Sequence, residues 1–346
     1  MPAAAVQAVQ PQPPARVSRL AKVQRGVLRL PPRIVIYGPE GVGKTTLAAA
    51  APNAIMIDVE DGSADIDVAR YPFRDGPQGH VPLTYVEVLS AIDDLIASPH
   101  DHQTLVIDSV DRLESLIWKH MLERDSASSA RNPKAVPLES IEDYGYGKGY
   151  QQAVEEWRAF AARLDRLRYA RQMGIVLVGH AQVRTFKNPE GEDYDRYQLR
   201  LNDKAAGFLK EWTQVTAFAC FDDVAAKAPG ASKNAKSKGF STGRRLLKTS
   251  RSAAIDAKSR LALPEEVEID ITNPWAPFAE AIERSYESEI ATLAERLAAE
   301  LERIGDPAVS EKAKPAVAAA VDAKDVAVLG RYLSELQKRP AKEPQQ

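Results

Sequence analysis

Gly38-Pro39-Glu40-Gly41-Val42-Gly43-Lys44-Thr45 decides how this chain is read. Four free positions separate the first Gly from the Gly-Lys-Thr, the spacing of a phosphate-binding loop. The β-branched run Ile34-Val35-Ile36 precedes it and predicts a buried parallel strand. Thr46-Leu47-Ala48-Ala49-Ala50-Ala51 follows and predicts the first turns of a helix, stopped by Pro52. A strand, a glycine turn and a helix start put successive backbone N–H groups around a polyphosphate. Lys44 then reaches the β- and γ-phosphates, and Thr45 ligates Mg²⁺. A chance glycine turn is the competing reading, and the agreement of motif, strand and helix argues against it. The ligand expected here is a nucleoside triphosphate.

Two further apolar runs end in acids. Ala54-Ile55-Met56-Ile57-Asp58-Val59-Glu60-Asp61 is one, and Thr104-Leu105-Val106-Ile107-Asp108-Ser109 is the other. Asp108, at a strand's C-terminal end, fits the Walker B acid that holds the Mg²⁺ shell. Ser109 follows it, so no glutamate stands directly after that Asp. A carboxylate is still needed to orient the attacking water, because this chemistry is positioning plus electrostatics. Glu60 is the candidate, with a solvated loop acid as the alternative and Asp61 as its rival.

Ile57-Asp58-Val59-Glu60 and Asp108-Ser109 resemble the RecA family, which carries Ile-Asp-x-Glu after its second core strand and Asp-Ser at Walker B. That family places a polar sensor, typically Gln, at the end of the next core strand. Gly174-Ile175-Val176-Leu177-Val178-Gly179-His180 supplies the strand here, with His180 or Gln182 as sensor. A closer resemblance is to phage-encoded RecA-like ATPases, some of them single-strand annealing proteins. It rests on Ser140-Ile141-Glu142-Asp143-Tyr144-Gly145-Tyr146-Gly147-Lys148-Gly149-Tyr150, on Gly179-His180-Ala181, and on Asp256-Ala257-Lys258-Ser259-Arg260 before Leu263-Pro264. The likeness spans roughly residues 33 to 275.

Composition narrows the class. With 346 residues and 44% hydrophobic content, the chain can bury one α/β core plus smaller appendages. Its one Cys, Cys220, lies in an apolar run, which argues for a reducing compartment and against a disulfide framework. No stretch approaches the ~20 apolar residues that span a bilayer. A cytosolic protein is expected, in the bacterial host cytoplasm if the phage resemblance holds. His100 and His102 flank Asp101 without a second ligand pair at metal spacing, so a surface loop is expected there.

The formal net charge of −2 hides an asymmetry. Residues 1–33 carry Arg and Lys but no acid. Residues 227–260 carry Lys227, Lys233, Lys236, Lys238, Arg244, Arg245, Lys248, Arg251, Lys258 and Arg260 against Asp256 alone. Residues 264–306 are acidic. A basic block on a near-neutral protein is either a localised polyanion contact or a solvated loop.

The expected fold is α/β: a RecA-like P-loop core with a mainly parallel sheet flanked by helices, plus a small C-terminal helical appendage. Strands are expected at 33–37, 54–59, 104–108 and 174–179, extended by strands near 214–221 and 243–249. Helices are expected at 44–51, about 84–97, 110–124 and 150–172. The boundaries expected are a flexible basic segment at 1–32, a core at 33–277, helices at 278–338 and a frayed tail at 339–346. Residues 1–15 lack an apolar face and suit a disordered tail or a transit peptide, and 16–32 suit an edge element. Ile290, Leu293, Leu297, Leu301 and Ile304 recur at helical spacing, as do Val326, Leu329, Leu333 and Leu336.

Loops are expected at 125–149 and 181–204, which in the RecA order are the two DNA-facing loops. Arg184, Phe186, Lys187, Arg196 and Tyr197 are the DNA candidates, since cations follow phosphates and rings stack on bases. The alternative is that Phe186, Tyr194 and Tyr197 pack a β-hairpin turned at Asn188-Pro189-Glu190-Gly191. The resemblance implies ATP and Mg²⁺ as ligands, catalysis through Glu60, Lys44 and His180, and nucleotide binding by 38–45 with Thr46. It also implies single-stranded DNA as partner, a homo-oligomer, contacts with a single-strand-binding or other phage replication protein, and no membrane. Lys204, Arg244, Arg245 and Lys248 are candidates for charge reaching a neighbouring subunit's site, or for DNA. The rival functions are a slowly hydrolysing loader or regulator and a small-molecule phosphotransferase. The latter lacks an acceptor site and an arginine-bearing lid.

Overall fold

The strand that carries the glycine motif, β1 (Arg33–Gly38), lies at the centre of a ten-stranded sheet in a computed structural model. The structure describes residues 23, 29–129, 138–226 and 238–341. The readings of 1–15, most of 16–32, the loop stretch 130–137, Lys227, Lys233, Lys236 and the last five residues lie outside the described residues.

In chain order the elements are β1, α1 (Lys44–Ala49), β2 (Ala54–Asp58), β3 (Ala69–Arg70), α2 (Tyr85–Ala97), β4 (Thr104–Asp108) and α3 (Val110–Ser129). Next come α4 (Lys148–Arg171), β5 (Gly174–Phe186), β6 (Tyr194–Leu199), α5 (Asp203–Trp212), β7 (Val215–Ala226) and β8 (Lys238–Lys248). β9 (Lys258–Ser259), β10 (Glu266–Glu268), α6 (Ala276–Ile304), α7 (Pro307–Asp322) and α8 (Val326–Leu336) complete the chain. The strand order is β10-β8-β7-β1-β5-β4-β2-β3, with β6 beside β5 and β9 beside β7. Strands β3, β2, β4, β5, β1 and β7 run parallel. Strand β8 is antiparallel to β7, and the edge strand β10 is antiparallel to β8, which makes the sheet mixed but mainly parallel. The fold is thus the α/β P-loop type.

Period-two alternation explains the two-layer cover. Val35, Tyr37, Ile57, Leu105, Ile107 and Leu177 face α2–α5, with Trp157 and Phe160 buried among them. Ile34, Ile36, Val106, Val176 and Val178 face the opposite way, onto Leu47 and Ala48 of α1 and onto Trp275, Phe278 and Ile282. Each such Ile or Leu, fully buried, contributes roughly 1.5–3 kcal/mol. Helix α2 starts where Thr84 and Glu87 close a capping box, the Thr84 hydroxyl accepting the Glu87 N–H.

Strand β5 outruns the expected 174–179 by several residues. It continues past His180 and pairs with β6 from Ala181–Leu199 to Phe186–Tyr194. The segment expected as a loop at 181–204 is therefore a hairpin followed by α5, and the aromatic packing alternative describes its structure. Two compact units divide the chain, Leu30–Ser288 and Met1–Arg29 with Glu289–Gln346. The division falls inside α6, eleven residues beyond Pro277. The smaller unit has its own apolar core, with Leu297, Leu301, Leu329 and Leu333 buried. Among the described residues no helix is long and apolar enough to cross a membrane.

Candidate functional site

The loop between β1 and α1 bends as its glycines allow. Gly43 sits at φ 92°, a left-handed conformation that side chains resist, and a Cβ there would come within 2.7 Å of the Arg245 guanidinium. Lys44 opens α1 and folds back so that Nζ donates to the Pro39 carbonyl at 2.8 Å. Burial lowers its pKa, while the nearby carboxylates of Asp108, Asp111 and Glu60 pull it up. Thr45 Oγ1 donates to Asp108 Oδ2 at 2.6 Å, so the helix start and the end of β4 meet. Burial pushes the Asp108 carboxyl up to about 6, against the Thr45 hydrogen bond and with Glu60 and Asp58 adding to the rise. A hydroxyl and a buried carboxylate side by side are the hard oxygen donors that Mg²⁺ takes, so this donor set fits that ion.

Asp58 ends β2 and organises the turn after it. Its carboxylate accepts the backbone N–H groups of Glu60, Gly62 and Ser63 and the Ser63 hydroxyl. Arg70 holds the Ser63 hydroxyl from β3 at 2.7 Å. That turn aims Glu60 at the phosphate loop and turns Asp61 away. Asp61 instead meets His80 Nε2 at 3.2 Å and accepts from Gln78 at 3.2 Å. Geometry thus separates the two acids that sequence left open.

His180 lies opposite Gly38 across the β1–β5 pairing. Its Nδ1 is 3.0 Å from Asp111 Oδ2, and its Nε2 is 3.8 Å from Glu60. Asp111 also accepts from Arg200 Nη2 at 2.7 Å. Although burial pushes it up, the hydrogen bonds from His180 and Arg200 hold the Asp111 carboxyl well below the usual carboxylate range. Asp111 in turn raises the His180 pKa. Gln182 is otherwise engaged, since its Nε2 donates to the carbonyl of Leu199 at 3.1 Å. His180, and not Gln182, is the polar group facing the phosphate loop. Sequence reading did not assign Asp111 to this site, and it placed Arg200 only among the basic residues of the 181–204 segment. The available signal was an acid in the first turn of the helix that follows Asp108.

One cavity of about 460 Å³ collects Glu40, Gly41, Gly43, Lys44, Thr45, Thr46, Glu60, Asp108, His180 and Arg245. A family model described as an AAA domain matches residues 30–261, two-thirds of the chain. The chain belongs to the AAA domain family. No curated protein matches it. Membership makes this a P-loop NTPase, a nucleotide-binding ATPase domain, and the cavity is where the AAA domain brings its phosphate loop and acids together.

The remaining candidates of the AAA domain lie elsewhere. Arg244 pairs with Glu268 at 2.9 Å and Asp222 at 3.5 Å, and Lys248 pairs with Glu266 at 2.8 Å. Lys204 is exposed in the first turn of α5. On the hairpin, Arg184 pairs with Asp203 and Lys187 with Asp193. Arg196, expected to face DNA, is buried, with its guanidinium 4.3 Å from the Phe186 ring and its Nε donating to the Ala253 carbonyl. Alternation along β6 turns Arg196 inward. Phe186 packs on Tyr194 at 5.2 Å, and Tyr197 packs on Phe218 at 5.1 Å while staying partly exposed. Among the described residues the most exposed ring is Tyr146, held between Gly145 and Gly147 with all three residues at positive φ.

Proposed function

We propose that the protein is a Mg²⁺-dependent ATPase of RecA-like type that acts on single-stranded DNA in phage recombination, by annealing or strand pairing. The observation that carries the ATPase part is the Thr45–Asp108 hydrogen bond beside Lys44, with Glu60 and His180 on the same cavity. The backbone N–H groups of the loop cradle the phosphates, and Lys44 leaves the Pro39 carbonyl for the β/γ oxygens. Thr45 and Asp108 would hold Mg²⁺, which neutralises phosphate charge. Glu60 accepts a hydrogen bond from the attacking water and orients it. His180, fixed by Asp111, sits behind Glu60 and keeps its carboxylate aimed.

The DNA part draws support from the residue likeness and from connectivity. Strand β5 runs from His180 in the cavity straight into the hairpin, and Arg200, at the hairpin's base beside His180, donates to Asp111. A nucleotide-dependent shift of Asp111 or His180 therefore has a covalent path to the hairpin. Exposed Tyr146 and partly exposed Tyr197 offer rings for base stacking. Homo-oligomerisation and contacts with phage replication proteins belong to this reading.

A second reading, a loader or regulator with slow turnover, is favoured by the internal pairing of Arg184 and Lys187 and the burial of Arg196, which leave the hairpin little free positive charge. ATP turnover measured with and without single-stranded oligonucleotide separates the two. Stimulation by DNA supports the first reading. Slow turnover indifferent to DNA, with no oligonucleotide binding, supports the second.

A further inference from the structure

Among the described basic residues along β8, Arg245 alone enters the nucleotide cavity. Alternation explains the split. Arg245 and Leu247 lie on one face of the strand, and Leu247 is buried with Val42, Leu47 and Ala48 of the phosphate loop and α1. Arg244 projects the other way to its acids. The Arg245 guanidinium sits over Gly43 and 5.7 Å from the Phe221 ring, its cross-strand partner. Among the described residues it has no carboxylate partner. It is therefore a half-buried cation beside the loop.

We propose that Arg245 is a phosphate clamp in cis: its guanidinium binds the α/β-phosphates of the nucleotide held by its own chain. Three observations place it there rather than at a neighbour's γ-phosphate. The guanidinium already lies in its own chain's cavity. It covers Gly43, whose turn of the loop cradles the α/β-phosphates. Glu60 and His180 reach Lys44 from β2 and β5, on the other side of β1 from β7 and β8, so the γ-phosphate end is theirs. A planar fork suits two phosphate oxygens in a way that an ammonium does not. A clamp on the α/β-phosphates holds ATP and ADP alike, so it acts on affinity more than on the chemical step.

The inference rests on the nucleotide-site reading above, and binding tests it without turnover. Fluorescently labelled ADP and a non-hydrolysable ATP analogue are titrated with Mg²⁺ into wild type, Arg245→Ala and Arg245→Lys, each with a melting curve to show that it is folded. Arg245→Ala should weaken both nucleotides by a similar factor, about 10- to 100-fold, the effect of one charge-assisted contact. Arg245→Lys should fall between. If Arg245→Ala fails to fold, the Lys variant decides: unchanged affinity for both nucleotides overturns the clamp. Arg245→Ala is also mixed with Lys44→Ala and assayed for turnover. No gain over the separate proteins is expected. Recovered turnover, with ADP affinity unchanged in Arg245→Ala, would move the guanidinium to a neighbour's site and overturn the inference. Wild type that binds both nucleotides and hydrolyses none refutes the ATPase reading and leaves the clamp standing.

Discussion

Glu114 offers a test of how the helix after Asp108 is tied to the hairpin. It lies one turn beyond Asp111 on α3, is 6% exposed, and accepts the Asn202 N–H at 3.2 and 3.1 Å. Burial pushes its carboxyl from 4.5 up to about 7, against the Asn202 hydrogen bond and with the Asp111 charge adding to the rise. The folded value lies above the unfolded one, so the native state holds this proton more tightly. The resulting stability is fully present below the unfolded value and is lost as pH rises through about 7. Carried through, that rise corresponds to about 2–3 kcal/mol lost between pH 5 and pH 8. Glu114→Gln keeps the shape and the acceptor and removes the titration. For a domain of this size the difference amounts to roughly 5–10 °C in melting temperature. Thermal melts followed by circular dichroism across pH 5 to 8 should show the wild type falling relative to Glu114→Gln, with the variant the more stable at pH 8. Parallel profiles for the two proteins would refute the reasoning, since they would mean that Glu114 does not titrate in this window.

Glu60→Gln should bind ATP while turning it over about a hundredfold or more slowly, because Gln keeps the shape and loses the carboxylate; wild-type turnover, with Asp61→Asn inactive, would show the wrong acid was chosen. Asp111→Asn should lower the His180 titration midpoint seen by NMR, since the Asp111 hydrogen bond is the main cause of its rise, and an unmoved midpoint contradicts that pairing. Phe186→Ala should cost about 1–2 kcal/mol of stability in melts, less than a fully buried Phe, because its ring packs on Tyr194 and Arg196; an unchanged melt contradicts that packing. Arg184→Ala with Lys187→Ala should flatten the salt dependence of oligonucleotide binding by up to about two phosphate contacts. An unchanged slope moves the DNA site to Tyr146 or to the basic stretch.

The sheet was legible wherever strands are buried on both faces. Ile34-Val35-Ile36 and Leu105-Val106-Ile107 are continuous apolar runs, which is what such strands require. The end of β5 was not legible. Beyond His180 the alternation of Ala181, Val183 and Thr185 with polar neighbours is that of a half-exposed hairpin, and basic and aromatic residues there read equally well as a ligand surface. Arg196 shows why: a cation turned inward by one step of register is the same letter as one facing solvent. Within the site, Lys44 and Thr45 were legible from spacing, because a phosphate loop is local in sequence, and Asp108 from its place at the end of an apolar run. Asp111, Arg200 and Arg245 were not, because β4, β6 and β8 bring them together only after the sheet is assembled. The choice between Glu60 and Asp61 needed the turn that Asp58 builds.

The most direct test of the central claim is steady-state ATP turnover with Mg²⁺ by wild type and by Lys44→Ala. Wild type should turn ATP over, and chelating the metal should stop it. A Lys44→Ala protein that melts as wild type does should show none, because the Lys44 side chain, though buried, bonds to the Pro39 carbonyl rather than packing in an apolar cluster. Normal turnover in a well-folded Lys44→Ala protein would contradict that claim.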